Sequence, residues 1–151
     1  FVIRYPRGRG VLNDWECPFE EIEVGTGRKI HDGEDVAVLS LGPLGNDVED
    51  AINEIGTAKS VAHYDMRFLK PLDENILQEV GNKFHRIITI EDGVRNGGLG
   101  SAVLEWMDDH GFKPDIIRMG LPDEFVEHGK VEELRQTVGL DKESIKNEIL
   151  K

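Results

Sequence analysis

Apolar residues recur along the chain with two spacings, and the switching between them predicts a series of strands and helices. Val36 to Leu41 is an apolar run of strand length. Arg28 to His31 precedes it across Asp32-Gly33, a pair whose tolerance of positive φ predicts a hairpin of two antiparallel strands. Over Asp47 to Ile55, the residues Val48, Ala51, Ile52 and Ile55 fall three or four apart, the spacing of one buried helix face, and Gly56 is the expected stop. Val61 to Tyr64 reads as the next strand, and Asp73 stands where it would cap a helix burying Ile76, Leu77 and Val80. Arg86-Ile87-Ile88-Thr89-Ile90 is the clearest buried strand, and the glycine-rich segment 93–100 leads from it into Ala102, Val103, Trp106 and Met107 at helical spacing. Asp115 to Met119 is a last strand. Two amphipathic helices follow, over Val131 to Val138 and Lys142 to Leu150, with Asp141 as cap of the second.

Strands separated by helices predict an α/β fold: a three-layer α/β/α domain with a mostly parallel five-stranded sheet and one antiparallel edge strand. Ahead of it, Phe1-Val2-Ile3-Arg4-Tyr5 reads as a strand already under way, without an initiator Met. Residues 6–27, with Gly8, Gly10 and Pro18 and little periodicity, read as a connection. The expected division is 1–27 as the end of a preceding domain with its linker and 28–151 as the compact domain, so the chain reads as a piece of a longer one. No repeat or heptad run is present.

Composition narrows the partners. The 151 residues are 38% hydrophobic, enough for one sizeable core. Thirty acidic against 18 basic side chains give a formal charge of -12, which disfavours nucleic acid and anionic membrane as partners. Arg4, Arg7 and Arg9 reverse that sign locally. Cys17 is the sole cysteine, which excludes an internal disulfide and makes the cytoplasm the expected location. No apolar run approaches the roughly 18 residues of a membrane span.

In open parallel sheets ligands bind beyond the carboxyl ends of the strands. Arg4 and Arg67 stand there, and each offers a planar fork of donors matched to a phosphate or carboxylate. A surface ion pair, for Arg67 with Asp65, is the competing reading. The glycine-rich segment lacks both the P-loop Lys-Ser/Thr and the dinucleotide spacing, so close helix packing or a loop facing another domain explains it better than nucleotide binding. Glu91-Asp92 follows the clearest strand, but alternation points the two acids apart, which favours a cap or a domain contact over an acid/base pair. The five histidines are scattered without metal-ligand spacing, and no catalytic triad is visible.

Arg4-Tyr5-Pro6-Arg7-Gly8, Asp65-Met66-Arg67-Phe68 with Lys70-Pro71-Leu72-Asp73, Thr89-Ile90-Glu91-Asp92 with Gly97-Gly98-Leu99-Gly100-Ser101, and Gly120-Leu121-Pro122-Asp123 occur in an order that resembles the transketolase-like 1-deoxy-D-xylulose 5-phosphate synthase family over nearly the whole chain. The resemblance implies a transketolase C-terminal-type domain. The parent would be a transferase that condenses pyruvate with D-glyceraldehyde 3-phosphate, with loss of carbon dioxide, at the start of non-mevalonate isoprenoid synthesis. It implies thiamine diphosphate and magnesium in the parent, held by residues that would precede Phe1, with neither bound by this chain and no turnover by this chain alone. It implies that the positions matching Arg4 and Arg67 hold the aldehyde's phosphate, with Arg7 a further candidate for that role. Implied partners are the other domains of the same enzyme and a second copy in a homodimer. The alternative is an assembly or dimerisation module of another thiamine-diphosphate enzyme.

Overall fold

The computed structural model describes residues 2, 10, 16 and 18–151. Arg4, Arg7 and Cys17, and all of the expected N-terminal strand except Val2, lie outside the described residues.

Five strands and five α-helices follow Gly27: β1 (Arg28–His31), β2 (Val36–Leu41), α1 (Leu44–Ile55), β3 (Val61–Asp65), α2 (Glu74–Lys83), β4 (Arg86–Val94), α3 (Leu99–Asp109), β5 (Asp115–Leu121), α4 (Val131–Thr137) and α5 (Lys142–Leu150). The five strands form one sheet in the order β1-β3-β2-β4-β5, parallel except for β1, the antiparallel edge. Period-two alternation divides the strand side chains between two cores. Val36 and Val38 of β2 and Ile88 and Ile90 of β4 face α1 and α5, whereas Ala37, Leu39 and Ile87 face α2 and α3. The central strands β2 and β4 are therefore apolar on both faces, as a sheet covered on both sides requires.

The expected hairpin does not form. β1 pairs with β3, Arg28 opposite Asp65 and Lys29 opposite Tyr64, and β3 lies between β1 and β2. The reason is burial: β2 is apolar on both faces and takes the sheet's centre, with β3 and β4 as neighbours, while β1, which buries no residue, is left with the outer edge. Gly33 is needed for close approach and not for a positive φ. A Cβ there would lie 2.1 Å from the Val61 carbonyl carbon and 2.3 Å from the Ala62 nitrogen. The connection is tied down beside it, because Asp35 N donates to the Ser60 carbonyl at 2.8 Å and Ser60 N to Asp35 Oδ2 at 2.7 Å.

The helices keep their expected faces with shifted ends. α1 begins at Leu44, directly after Pro43, and buries Leu44 with Val48, Ala51, Ile52 and Ile55. Asp73 caps α2 by accepting from Ile76 N at 3.1 Å, and its other oxygen accepts from Gly27 N at 2.8 Å. Asp141 caps α5 through Glu143 N and Ser144 N. α4 packs loosely: it buries no residue fully, Leu134 is half-buried, and Val138 just past its end packs against the core. β4 runs on through Glu91-Asp92 to Val94, past a register irregularity after Ile90.

Candidate functional site

Adjacent strands whose following helices leave to opposite faces open a crevice at their carboxyl ends. β2 leads into α1 on one face and β3 leads towards α2 on the other. Between their ends lies a cleft of about 490 Å³, lined by Arg28, Ser40, Asn46, Glu49, His63, Asp65 and Arg67 among others. Gly42 and Gly45 also line it, so the N-terminus of α1 opens onto the cleft, an arrangement that favours an anion.

Arg67 stands at this cleft in a constrained turn. Its φ is +56°, and Phe68 N donates across it to the Met66 carbonyl at 2.5 Å. A bulky residue at positive φ is uncommon and costs on the order of 1–3 kcal/mol where it persists. Two anchors hold the turn: Met66 N donates to the Ser40 carbonyl at 2.9 Å, and Arg67 N donates to Asp65 Oδ1 at 3.2 Å. The ion pair weighed from sequence is absent, because Asp65 engages the Arg67 backbone and gives its other oxygen to Arg28 Nε at 3.1 Å. Among the described residues the exposed Arg67 guanidinium has no hydrogen-bond partner. Arg86, Arg118 and Arg135 are bonded to Glu148, Ser101 and Asp47, and Arg95 lines a separate cleft by Phe125 and His128.

One wall of the cleft holds a linked trio that the sequence reading did not find. His63 Nδ1 lies 2.5 Å from Glu49 Oε1, and His63 Nε2 lies 2.8 Å from Ser40 Oγ. A carboxylate only accepts, so Nδ1 carries the proton in the neutral ring and the Ser40 hydroxyl donates to Nε2. The wiring is that of a serine–histidine–acid relay. Ser40 is 1% exposed, however, and Gly45 stacks over it so closely that a Cβ would sit 3.0 Å from Oγ. The trio therefore braces β2, β3 and α1 and presents no open nucleophile. Strand alternation was the available signal: Ser40 shares a face with Val36 and Val38, and His63 with Val61. The register joining them, Val38 opposite His63 and Ser40 opposite Asp65, is set only by pairing across the sheet.

Burial lowers the pKa of His63 from its ordinary 6.5, with Glu49 pulling the other way. The unfolded chain therefore binds this proton more readily, and stability falls as pH drops below about 6.5 towards the lowered value. Denaturant midpoints at pH 7.5 and 5.5 should differ less in His63→Gln than in the native chain. Equal differences would remove His63 as the cause.

The remaining polar features have structural partners. Glu91 is 5% exposed and accepts from Gly100 N at 3.1 Å, capping the first turn of α3, while Asp92 is half-buried. A Cβ on Gly98 would fall 2.0 Å from Glu91 Oε2, and one on Gly100 would fall 2.6 Å from Thr89 Oγ1. These glycines serve close packing, and a carboxylate already occupies the helix end where a nucleotide phosphate would sit. No three His, Cys, Asp or Glu side chains converge as a metal site among the described residues. No helix of the described residues is long and apolar enough to cross a membrane.

A three-layer α/β/α domain with an antiparallel edge strand and a cation-bearing cleft at the strand carboxyl ends is the class of protein that this structure defines. The family described as "Transketolase, C-terminal domain" matches residues 25–145, and the chain belongs to that family. A 1-deoxy-D-xylulose-5-phosphate synthase of Bacteroides thetaiotaomicron is 59% identical to it, and one of Phocaeicola vulgatus is 58% identical, the alignments covering 100% and 96% of this chain. The chain spans 24% and 23% of the length of these two curated relatives. Among solved structures, one described as "Split gene transketolase, inactive beta4 tetramer" superposes with a TM-score of 0.77 at 26% identity, over 89% of this chain and 44% of that one.

Proposed function

We propose that this chain is the C-terminal domain of a 1-deoxy-D-xylulose 5-phosphate synthase, with residues 1–27 joining it to the preceding domain. In this reading it holds the phosphate of D-glyceraldehyde 3-phosphate while the rest of the enzyme, with thiamine diphosphate and magnesium, joins that aldehyde to the two-carbon unit left when pyruvate loses carbon dioxide. The observation that carries the reading is the Arg67 guanidinium, which has no hydrogen-bond partner among the described residues and is presented by a positive-φ turn at the cleft between β2 and β3. Arg4 and Arg7 belong to the same proposed site by family resemblance. Holding a non-reacting phosphate turns binding energy into orientation of the aldehyde carbon, which is how a domain without the cofactor contributes to the rate.

The test compares the full-length protein with this chain alone, each supplied with pyruvate, D-glyceraldehyde 3-phosphate, thiamine diphosphate and magnesium. Product from the full-length protein and none from the isolated chain is the expected pair. An inactive full-length protein, under conditions where a relative turns over, would overturn the substrate assignment. Turnover by the isolated chain would overturn the division of labour. A second reading, an assembly module, draws on the tetrameric state of the solved split-gene transketolase. It predicts that disrupting the subunit contact abolishes activity while Arg67 substitutions do not.

A further inference from the structure

We propose that Arg28 is a second phosphate-holding arginine of the Arg67 cleft, aimed there by the Asp65 carboxylate. The proposal rests on the phosphate-holding reading of Arg67 and adds to it a residue that family resemblance does not supply.

Three observations converge on Arg28. It lies on the antiparallel edge strand β1, directly opposite Asp65 of β3, and so reaches the cleft only because β1 pairs with β3 and not with β2. Its Nε donates to Asp65 Oδ2 at 3.1 Å, while its two terminal nitrogens have no hydrogen-bond partner among the described residues. Its side chain is 56% exposed, at the rim of the cleft that Arg67 also lines.

Asp65 is what makes these facts one arrangement. One of its oxygens fixes the Arg67 backbone and the other fixes the Arg28 guanidinium, so a single carboxylate sets the position of both cations. Tying Nε leaves the planar pair of terminal amino groups, the edge of the fork that matches two oxygens of a phosphate. The other acid of the cleft, Glu49, is engaged by His63. The ligand chemistry this fits is a phosphate monoester dianion on a short aldehyde, shared between two guanidinium groups. Asp65 acts through both arginines and is a positioning residue.

The experiment uses the full-length enzyme and measures kcat/KM for D-glyceraldehyde 3-phosphate and for unphosphorylated D-glyceraldehyde, taking their ratio as the phosphate preference. Arg28→Ala is expected to lower that ratio about tenfold, the size of one charge-assisted hydrogen bond, mostly through the aldehyde KM and with little change in the pyruvate KM. Arg28→Lys should restore part of it, and Asp65→Asn should lower it as well. Arg28→Gln, which keeps most of the stem, replaces the alanine variant if that one fails to fold. A wild-type ratio in Arg28→Ala and Arg28→Gln, with a collapsed ratio in Arg67→Ala, overturns the role of Arg28 and leaves the function of Arg67 standing. An unchanged ratio in Arg67→Ala overturns the phosphate-holding reading itself, and this proposal with it.

Discussion

Under the proposed phosphate-holding role, Arg67→Ala in the full-length protein is expected to lower kcat/KM for D-glyceraldehyde 3-phosphate by about 10- to 100-fold. Hydrogen bonds to a charged group contribute about 1.5–3 kcal/mol each, and about 1.4 kcal/mol corresponds to a factor of ten. Alanine keeps a Cβ at the same positive φ, so the turn between Met66 and Phe68 and the bond from Arg67 N to Asp65 remain available. The loss should therefore appear in catalysis and not in folding. Arg67→Gly separates the two further: it relieves the left-handed strain at φ +56° and should be no less stable than Arg67→Ala, despite glycine's larger entropy in the unfolded chain, yet just as impaired. Steady-state kinetics with both substrates, beside urea denaturation of the two variants, provide the check. A pyruvate KM that rises as much as the aldehyde KM would count against a phosphate contact.

Gly33→Ala is expected to cost about 3 kcal/mol or more of stability, at or above the upper end of ordinary overpacking. The added carbon would sit 2.1, 2.3 and 2.5 Å from Val61 C, Ala62 N and Val61 O, all main-chain atoms. They cannot withdraw without disturbing the pairing of Val36 with Val61 and Ala37 with Ala62 at the centre of the sheet. A glycine needed only for a left-handed turn would lose far less, on the order of 1 kcal/mol. The size of the effect therefore distinguishes a crossing connection from a hairpin. Asp32→Ala, whose side chain is 87% exposed, is the neighbouring control and should change stability by no more than about 0.5 kcal/mol. A Gly33→Ala chain within about 1 kcal/mol of the native stability would mean that the connection can lift off β3.

Much of this architecture was legible in residue spacing. The buried faces of α1, α2 and α3, the caps Asp73 and Asp141, and the α/β class all follow from local periodicity and capping chemistry, which act over a few residues. The extension of β4 through Glu91 was not legible, because two adjacent acids end an apolar run whether or not the backbone stays paired. It stays paired because Glu91 turns inward and finds the first turn of α3. Arg67 was visible as a polar residue beyond a strand, but its freedom from Asp65 was not, since that depends on Arg28 arriving from another strand.

The sequence by itself determined the kind and order of the strands and helices, which strands are apolar on both sides of the sheet, and where an arginine follows a strand. Tertiary structure alone decided that β3 separates β1 from β2, that Ser40, His63 and Glu49 meet, and that Arg28 and Arg67 share one cleft with Asp65 between them. The physical reason is range. Helix faces and caps are set by contacts between residues a few positions apart. Strand order and register are set by which apolar surfaces compete for the centre of the sheet, a comparison that only the folded chain makes.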